Sequence, residues 1–338
     1  MVSLLRVASF CLVLVLGACG DKAGSNVTTL TVYSARNEQL IGPMLEQYQQ
    51  LHPELKLNLV TGSAGPLLER LRAEGNTSPA DLLITVDAGN LWEAAQTGLL
   101  AELDSPTLET AIPSHLRDPN LQWVGLSVRA RTLVHHPQRA PASTLSSYAA
   151  LAKPEWKGRL CLRTSKKVYN QSLVAMLIAE YGEDTAEDIV RGWVANLATP
   201  PFSNDTAVLK AIAAGQCDVG IVNTYYYGRL LREDPELPLA IFWPDQDGSG
   251  VHVNVSGAGV LKASDNAQAA QKLLEWLASP QAQGDFAGMN LEYPANPAVN
   301  AVPAVAAWGE FKPNLINVNE AGRLQATAVK LMDRAGYY

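Results

Sequence analysis

Three consecutive tyrosines, Tyr225, Tyr226 and Tyr227, are the residues of this 338-residue chain whose type and spacing most suggest chemistry. They follow a short apolar run, 219–222, that is typical of a β-strand. Ligand sites of α/β proteins form at the carboxyl ends of strands, so several phenol oxygens are expected at such a place. A deprotonated phenol is a hard anionic donor that suits a hard cation such as ferric iron. The alternative is a half-buried aromatic segment that packs through its rings.

Histidine and cysteine do not form a second candidate metal site. The five histidines are not clustered at ligand spacing, and the neighbours His135 and His136 point to opposite sides of a strand. No CxxC motif or Cys/His spacing of a zinc site occurs. We therefore interpret the histidines, including His252, as structural.

The N-terminus is predicted to be a secretory signal, residues 1–18, with Arg6 before an apolar stretch at 7–16. Leu16-Gly17-Ala18-Cys19 resembles a bacterial lipobox, so Cys19 is expected to carry lipid at the start of a tether, residues 19–27. The alternative is an ordinary cleaved signal that leaves Cys19 as a free thiol. No other stretch reaches the eighteen apolar residues of a membrane span.

Export places the remaining cysteines, Cys161 and Cys217, in an oxidising compartment where disulfides persist. We expect them to be bonded to each other, because each begins a predicted strand that leads toward the candidate site. The alternative is a pair of buried free cysteines that act as small apolar side chains.

Net charge and the absence of catalytic motifs argue against some classes of function. The formal net charge of −7 disfavours a nucleic-acid partner, which calls for a basic patch. No GxSxG or HExxH motif is present, so we do not expect an enzyme. The roughly 310 residues after the signal are enough for two domains.

Strand-like and helix-like segments alternate along the chain, which predicts an α/β fold with doubly wound sheets. The predicted strands are 30–33, 55–60, 81–86, 159–163, 218–222 and the extended segment 251–261. The predicted helices are 38–51, 66–74, 90–97, 169–181, 185–198, 205–214 and 266–278. The chain is expected to cross between two lobes near 127–134 and 253–257, which would enclose a cleft.

Seven segments spread along the chain are distinctive: TVYSAR (31–36), SPADLLITVD (78–87), WKGRLCLRTS (156–165), VYNQSLVA (168–175), NDTAVL (204–209), VNTYYYGRLL (222–231) and HVNVSGAGV (252–260). Together they resemble the periplasmic ferric-binding proteins of ABC importers. The resemblance implies the two-lobed Venus-flytrap fold, each lobe a doubly wound mixed sheet flanked by helices. We expect an N-lobe of 28–131 with 256–306, and a C-lobe of 132–255 with 307–338.

The resemblance implies that Tyr225 and Tyr226 bind ferric iron and that Tyr169 is a third ligand. Tyr169 could equally be a surface aromatic in the first turn of a helix. Free tyrosine has a pKa near 10, so a trivalent ion must take the place of the proton, which couples metal affinity to pH. Tyr227 is assigned to packing.

On the N-lobe the chain departs from the family pattern, because Asn37 and Glu38 replace the usual His and Tyr. Asn37 is expected to make no metal bond. Glu38 is a further candidate metal ligand, although a carboxylate in the first turn of a helix is also favoured by the helix dipole. Asp87 is a second such candidate, or else the cap of the helix that follows it.

The resemblance also implies a synergistic anion, carbonate or phosphate, that completes the coordination of Fe(III). Arginine binds planar anions with two hydrogen bonds, and a helix N-terminus attracts anions. The candidates for anion binding are Arg36, Arg131, Ser165, Asn204 and Asn223. The two asparagines could instead cap helices.

The expected function is therefore the substrate-binding component of a ferric iron importer. It would capture iron in the cleft and deliver it to an ABC permease with its ATPase. We expect a monomer in the periplasm or cell envelope, attached to the membrane only by its N-terminal lipid. The alternative is a receptor of the same fold for another solute, such as a phosphonate, a polyamine or thiamine.

Overall fold

The computed structural model describes residues 27–338. The signal 1–18, the lipid attachment at Cys19 and the tether up to residue 26 lie outside the described residues. The α/β fold with two lobes expected from the sequence is confirmed.

Within residues 27–338 the strands form one connected sheet. They are β1 (Thr28–Ser34), β2 (Leu55–Thr61), β3 (Leu82–Thr85), β4 (Val124–His135), β5 (Leu160–Cys161), β6 (Val219–Asn223), β7 (Ala240–Phe242), β8 (Val253–Val260) and β9 (Tyr293–Pro294). The order across the sheet is β2-β1-β3-β8-β4-β6-β5, and β7 and β9 also pair with β4.

Helices cover the sheet. They are α1 (Glu38–Leu51), α2 (Ala64–Glu74), α3 (Ala88–Gln96), α4 (Pro106–Ala111), α5 (Val168–Tyr181), α6 (Glu183–Ala195), α7 (Asp205–Ala213), α8 (Thr224–Glu233), α9 (Ala267–Leu277), α10 (Pro280–Gly288), α11 (Pro303–Ala306), α12 (Glu320–Arg323) and α13 (Gln325–Arg334). The apolar residues of α1 recur at helical spacing, and Ile41, Met44, Leu45 and Tyr48 are all buried.

Strand β4 belongs to both lobes. Its first half, up to Ala130, pairs antiparallel with β8, and its second half, from Arg131, pairs antiparallel with β6. One hydrophobic core lies beside the first half and collects residues from 30–130 and 251–318. Two further cores lie beside the second half, between residues 133 and 337. We call these two parts the N-lobe and the C-lobe.

Several predicted bounds were wrong in extent; the helix predicted over 185–198, for example, is α6 (Glu183–Ala195). The strand predicted over 159–163 is only the two residues of β5, because it pairs with β6 at Leu160 and Cys161 alone. The helix after Asp87 begins at Ala88 and not near residue 90, because the Asp87 side chain caps it. A pairing partner that is distant in sequence decides the extent of β5, and the residue immediately before the helix decides where α3 begins.

Candidate functional site

Three tyrosine side chains line one cavity of about 230 Å³. Tyr225 and Tyr226 lie in the first turn of α8, directly after β6, and their ring centroids are 4.4 Å apart. Tyr169 lies in the first turn of α5. Tyr169 and Tyr225 are buried, and Tyr226 is half-buried. Two helix N-termini thus bring three phenol oxygens together from segments some fifty residues apart.

The third tyrosine of the triplet, Tyr227, has a different environment. Its buried ring belongs to the apolar core around α7 and α8 and meets the indole of Trp308 edge-on, with centroids 6.1 Å apart. The helical turn therefore separates it from its two neighbours in sequence.

The buried phenols resist ionisation. Burial raises the pKa of Tyr225 well above its usual 10, and the nearby Tyr169 and Tyr226 raise it further. Burial also raises the pKa of Tyr169, although the positive charge of Arg129 opposes the shift. Both side chains are neutral phenols at physiological pH unless a cation replaces their protons.

Arg129 and Glu292 line the same cavity and were missed in the sequence. Arg129 donates to Glu292 at 3.3 Å and to Ser256 at 3.0 Å, and its guanidinium lies 5.5 Å from the centroid of the Tyr169 ring. Arg129 is two residues from Arg131 on β4, a spacing that places both on one face, so alternation could have found it. Glu292 lies in the part of the chain beyond residue 278, where the sequence patterns predict no helix or strand.

Arg36 completes this group from the N-lobe. It is buried, lines the cavity and forms an ion pair with Glu292 at 2.9 Å. Burial alone would raise the pKa of Glu292, but Arg36 and Arg129 outweigh burial and lower it. Glu292 is therefore a carboxylate already held by two arginines.

Positive charge dominates the cavity wall. Of the residues that line it, four are cationic, and Glu292 is the carboxylate. Two of the cations, Lys167 and Arg229, lie 5.2 Å from the ring centroids of Tyr169 and Tyr225 respectively. Such a wall stabilises phenolates and any anion bound beside them.

Arg131 and Asn223 lie just behind the tyrosines. Arg131 forms an ion pair with Asp205 at 3.0 Å and donates to the side-chain oxygen of Asn223 at 3.1 Å. The amide of Asn223 donates to the Tyr225 hydroxyl at 3.3 Å. Neither Arg131 nor Asn223 lines the 230 Å³ cavity. Asn223 contacts the Tyr225 hydroxyl from behind, and the guanidinium of Arg131 is engaged by protein groups.

The remaining candidates for anion binding do not line the 230 Å³ cavity. The Asn204 side chain caps α7 by accepting from the amide of Ala207 at 2.8 Å. Ser165 is half-buried and lies three residues before α5, not at the start of that helix.

The N-lobe candidates for metal binding have other contacts. Asp87 accepts from the Gly89 amide at 2.7 Å, from Asn254 at 2.7 Å and from Ser172 at 3.0 Å. Burial raises its pKa despite these bonds. Glu38 is exposed in the first turn of α1 and lines an adjoining outer cavity of about 680 Å³. Asn37 is exposed and lines both cavities.

A disulfide joins Cys161 and Cys217, with Cα atoms 5.9 Å apart. Cys161 ends β5 and Cys217 lies two residues before β6, its parallel neighbour. The bond ties together the segments that lead to Tyr169 and to Tyr225.

Over residues 27–338, His, Cys, Asp and Glu side chains form no cluster of three that could hold a metal ion. In the same range, every helix is too short or too polar to cross a bilayer. The tyrosine cavity is the candidate site, because three phenols and four cationic side chains meet there.

The family model described as bacterial extracellular solute-binding protein matches residues 43–313. The chain belongs to this family. The solute-binding protein is 38% identical to iron uptake protein A1 of Synechocystis sp., over 95% of this chain and 93% of that relative. It is 25% identical to the major ferric iron-binding protein of Neisseria meningitidis serogroup B, over 95% and 97% of the two chains.

Solved structures resemble the solute-binding protein over nearly the same range. A Trichodesmium protein described as IdiA or FutA, in complex with iron and citrate ligands, has a TM-score of 0.88 at 42% identity and covers 92% of this chain and all of its own. The ferric iron-binding protein A of Mannheimia haemolytica in an open conformation has a TM-score of 0.86 at 37% identity, over 92% and 99% of the two chains.

Proposed function

We propose that this protein is the substrate-binding component of a ferric iron ABC importer. The observation that carries the proposal is the cavity where Tyr169, Tyr225 and Tyr226 meet under a cationic wall. Relatives that cover nearly the whole chain are named for iron uptake or ferric iron binding, which supports the same cargo. The protein itself performs no chemical conversion and acts in transport.

In this proposal the three phenolates bind Fe(III), because trivalent iron prefers hard anionic oxygen donors. A synergistic anion, carbonate or phosphate, fills the coordination positions that face the N-lobe. Arg36 and Asn223 are the predicted anion contacts nearest the tyrosines, and Arg131 supports Asn223 from behind. Asp87 and Glu38 are not needed as ligands, since Asp87 already accepts three hydrogen bonds and Glu38 lies outside the small cavity.

The lobes we propose are 28–131 with 256–306, and 132–255 with 307–338; four residues of the second set, Val251, Val253, Val255 and Val318, pack in the core beside the first half of β4. The two lobes close over iron by hinge motion and present it to a permease and its ATPase. We further propose that the protein is a monomer, held at the periplasmic side of a membrane by lipid on Cys19.

The proposal is tested by adding a ferric salt to metal-free protein in carbonate buffer. Tyrosinate-to-iron charge transfer should give a red-orange band that saturates at one iron per chain. A receptor for a phosphonate, a polyamine or thiamine would stay colourless. Saturation with such a solute and no band with iron would refute the ferric function.

A further inference from the structure

Asn170, in the first turn of α5, is the centre of a buried polar network. Its Oδ1 atom accepts a hydrogen bond from Nη2 of Arg131. Its amide nitrogen donates to the backbone carbonyls of Arg163 at 2.8 Å and Thr164 at 3.0 Å, and lies 2.8 Å from the hydroxyl oxygen of Tyr337. The Asn170 side chain is buried, and its contacts join α5 to β4, to the segment that precedes α5 and to the residues after α13.

The orientation of the Asn170 amide is set by its partners. A guanidinium only donates hydrogen bonds, so the Asn170 oxygen faces Arg131, and a backbone carbonyl only accepts them, so the nitrogen faces Arg163 and Thr164. The same rule applies at Asn223, whose Oδ1 atom accepts from Nη1 of Arg131 at 3.1 Å. Arg131 thus holds two asparagine side chains in fixed orientations, one on each of its Nη atoms.

One arm of the network reaches Tyr225. With its oxygen on Arg131, Asn223 presents its amide nitrogen to the Tyr225 hydroxyl, 3.3 Å away. A hydrogen bond donated to a phenol oxygen favours the ionised form of the phenol. The contact between Asn170 and Arg131 therefore connects the first turn of α5, which carries Tyr169, with a donor to Tyr225 on α8.

A second arm passes through Arg163, whose carbonyl accepts from Asn170. The Arg163 guanidinium lies 5.5 Å from the centroid of the Tyr169 ring. Burial alone would lower the pKa of Arg163, but the carboxylate of Asp205 and the hydroxyl of Tyr226 outweigh burial and raise it. A shift of the Arg163 backbone would thus move a cation that lies beside two of the three tyrosines.

Tyr337, which follows α13, closes the network. Gly336 adopts a positive φ of 72° after that helix, a conformation that suits glycine and turns the chain back toward the C-lobe core. The Tyr337 ring is buried in this core, and its hydroxyl donates to the Arg163 carbonyl at 2.5 Å while it accepts from Asn170. Tyr337 therefore supports both Asn170 and Arg163.

We propose that Asn170, supported by Tyr337, is a positioning residue of the iron site, which sets the geometry of Tyr169 and Tyr225 relative to each other before iron binds. This inference rests on the proposed ferric function and adds residues that do not touch the metal. Removal of groups that hold metal ligands in place typically costs about 10–100-fold in metal affinity. A residue that only stabilised the C-lobe would change stability and leave iron binding as it is.

The test compares Asn170→Ala with Asn196→Ala in the full mature protein. Asn196 is the matched control, because its buried side-chain amide also donates to two carbonyls of the C-lobe, those of Leu151 and Lys153. Both variants should lose similar stability in urea unfolding. Only Asn170→Ala should weaken binding of Fe(III) in carbonate buffer, by about tenfold. Its charge-transfer band should also move to longer wavelength, because a phenolate with a weaker hydrogen-bond donor gives up an electron to iron more readily.

Tyr337→Phe is a milder variant that removes one hydroxyl and keeps the ring. It should weaken iron binding by a smaller factor than Asn170→Ala. Tyr33→Phe is its control and should not change iron binding, since the Tyr33 hydroxyl bonds to Glu74 in the N-lobe. If Asn170→Ala fails to fold, this second pair decides. Wild-type affinity and band position in every folded variant of Asn170 and Tyr337, or equal losses in the controls, would overturn the positioning role.

Absence of the band in the wild-type protein would refute the ferric function and leave the positioning role to be decided on metal-free protein. The NMR resonances of the Tyr169 and Tyr225 rings then report on the network. Movement of these resonances in Asn170→Ala or Tyr337→Phe, with none in the controls, supports the positioning role. Unchanged resonances refute it.

Discussion

The three tyrosines of the triplet differ in what surrounds their hydroxyls. Tyr225 and Tyr226 face the cavity, and Tyr227 packs beside Trp308. Consecutive residues of a helix point in different directions around its axis. In the first turn of α8, the side chains of Tyr225 and Tyr226 therefore point to the cavity that Tyr169 lines, and the side chain of Tyr227 does not. The proposed ligand set can therefore be separated from the packing residue by one series of substitutions.

Tyr225→Phe and Tyr226→Phe should each abolish most of the iron charge-transfer band, because each removes an anionic donor and keeps the ring. The free energy of unfolding should change by no more than about 1 kcal/mol, since the hydrogen bond that the Asn223 amide donates to the Tyr225 hydroxyl is a neutral one of 3.3 Å. Visible spectroscopy and urea unfolding measure the two effects. Tyr227→Phe is the control and should keep the band; a wild-type band in the double Phe variant would place the metal elsewhere.

Asp245 gives a pH prediction remote from the cavity. Burial raises the pKa of its carboxyl to about 6, and Glu180 adds to the shift. The folded protein then holds a proton between about pH 4 and 6 that the unfolded chain has released. Stability from this residue is therefore fully present at low pH and falls as the pH rises through that window.

Asp245→Asn should stabilise the protein at pH 8 by on the order of 1–2 kcal/mol, discounted because the side chain is only partly buried. Asparagine keeps an acceptor for the Tyr148 amide and tolerates the positive φ of 57° at this position. The gain should vanish at pH 4, as measured by urea unfolding at both pH values. An equal gain at pH 4 would show that backbone conformation, not charge, is responsible.

At the scale of elements, α8 has little freedom to move. A Cβ added at Gly228 would lie 2.4 Å from Cζ2 of Trp308 and 2.9 Å from Leu291. The glycine is in the first half of α8, three residues after Tyr225. Close packing of Trp308 on this backbone therefore fixes the helix that carries two of the tyrosines.

Gly228→Ala should destabilise the protein by about 1–3 kcal/mol through overpacking, despite the better helix propensity of alanine. The shift of α8 should also weaken iron binding. Adding Trp308→Leu to the Gly228→Ala variant should restore part of the stability and part of the iron affinity, which thermal unfolding and iron titration measure. Gly284→Ala in α10, where the nearest atom is 4.0 Å away, is the matched control and should be neutral or stabilising. Equal effects at both glycines would contradict the packing argument.

Helices and strands could largely be predicted where the pattern that defines them lies within one segment of the sequence. The bounds of α1 match the prediction, since its apolar spacing and the His52-Pro53 pair are contained in one segment. The segments beyond residue 278 carry no such pattern, yet they supply Glu292 and Trp308. Their positions depend on contacts with α8 and β4, which no local signal reports.

The same limit applies to the site. The strand end at residue 222 predicts that Tyr225 and Tyr226 lie at a ligand site, whereas Tyr169 and Asn223 are predicted there only by the family resemblance. The choice between Arg129 and Arg131 could not be made from sequence, because both lie on one face of β4 and only the positions of Asp205 and Glu292 tell them apart.

At the scale of the whole molecule, a hydrogen bond connects the lobes near the cavity. Ser172 on α5 donates to Asp87 at the start of α3, at 3.0 Å. Asp87 is fully buried and also accepts from Asn254 on β8. Opening of the cleft between α3 and α5 must break the Ser172 contact.

Ser172→Ala should shift metal-free protein toward the open form, because it removes an attraction present only when the lobes meet. Compared with the wild-type protein, the variant should have a larger radius of gyration in small-angle scattering when iron is absent, and the same radius when iron is bound. Ser105→Ala is the control: Ser105 bonds to Glu275 within the N-lobe, so stability should fall by about 1 kcal/mol with no change in shape. An unchanged radius in Ser172→Ala would mean that this contact does not oppose opening.

The pairing of β3 with β8 also governs when the chain can fold. Leu82 pairs with Val260, so the N-lobe sheet lacks β8, the strand between β3 and β4, until more than three quarters of the chain is available. Pairings so distant in sequence make folding slow. A chain emerging from synthesis would thus stay without a finished N-lobe for most of its length, a condition that favours threading through an export channel before either lobe is complete.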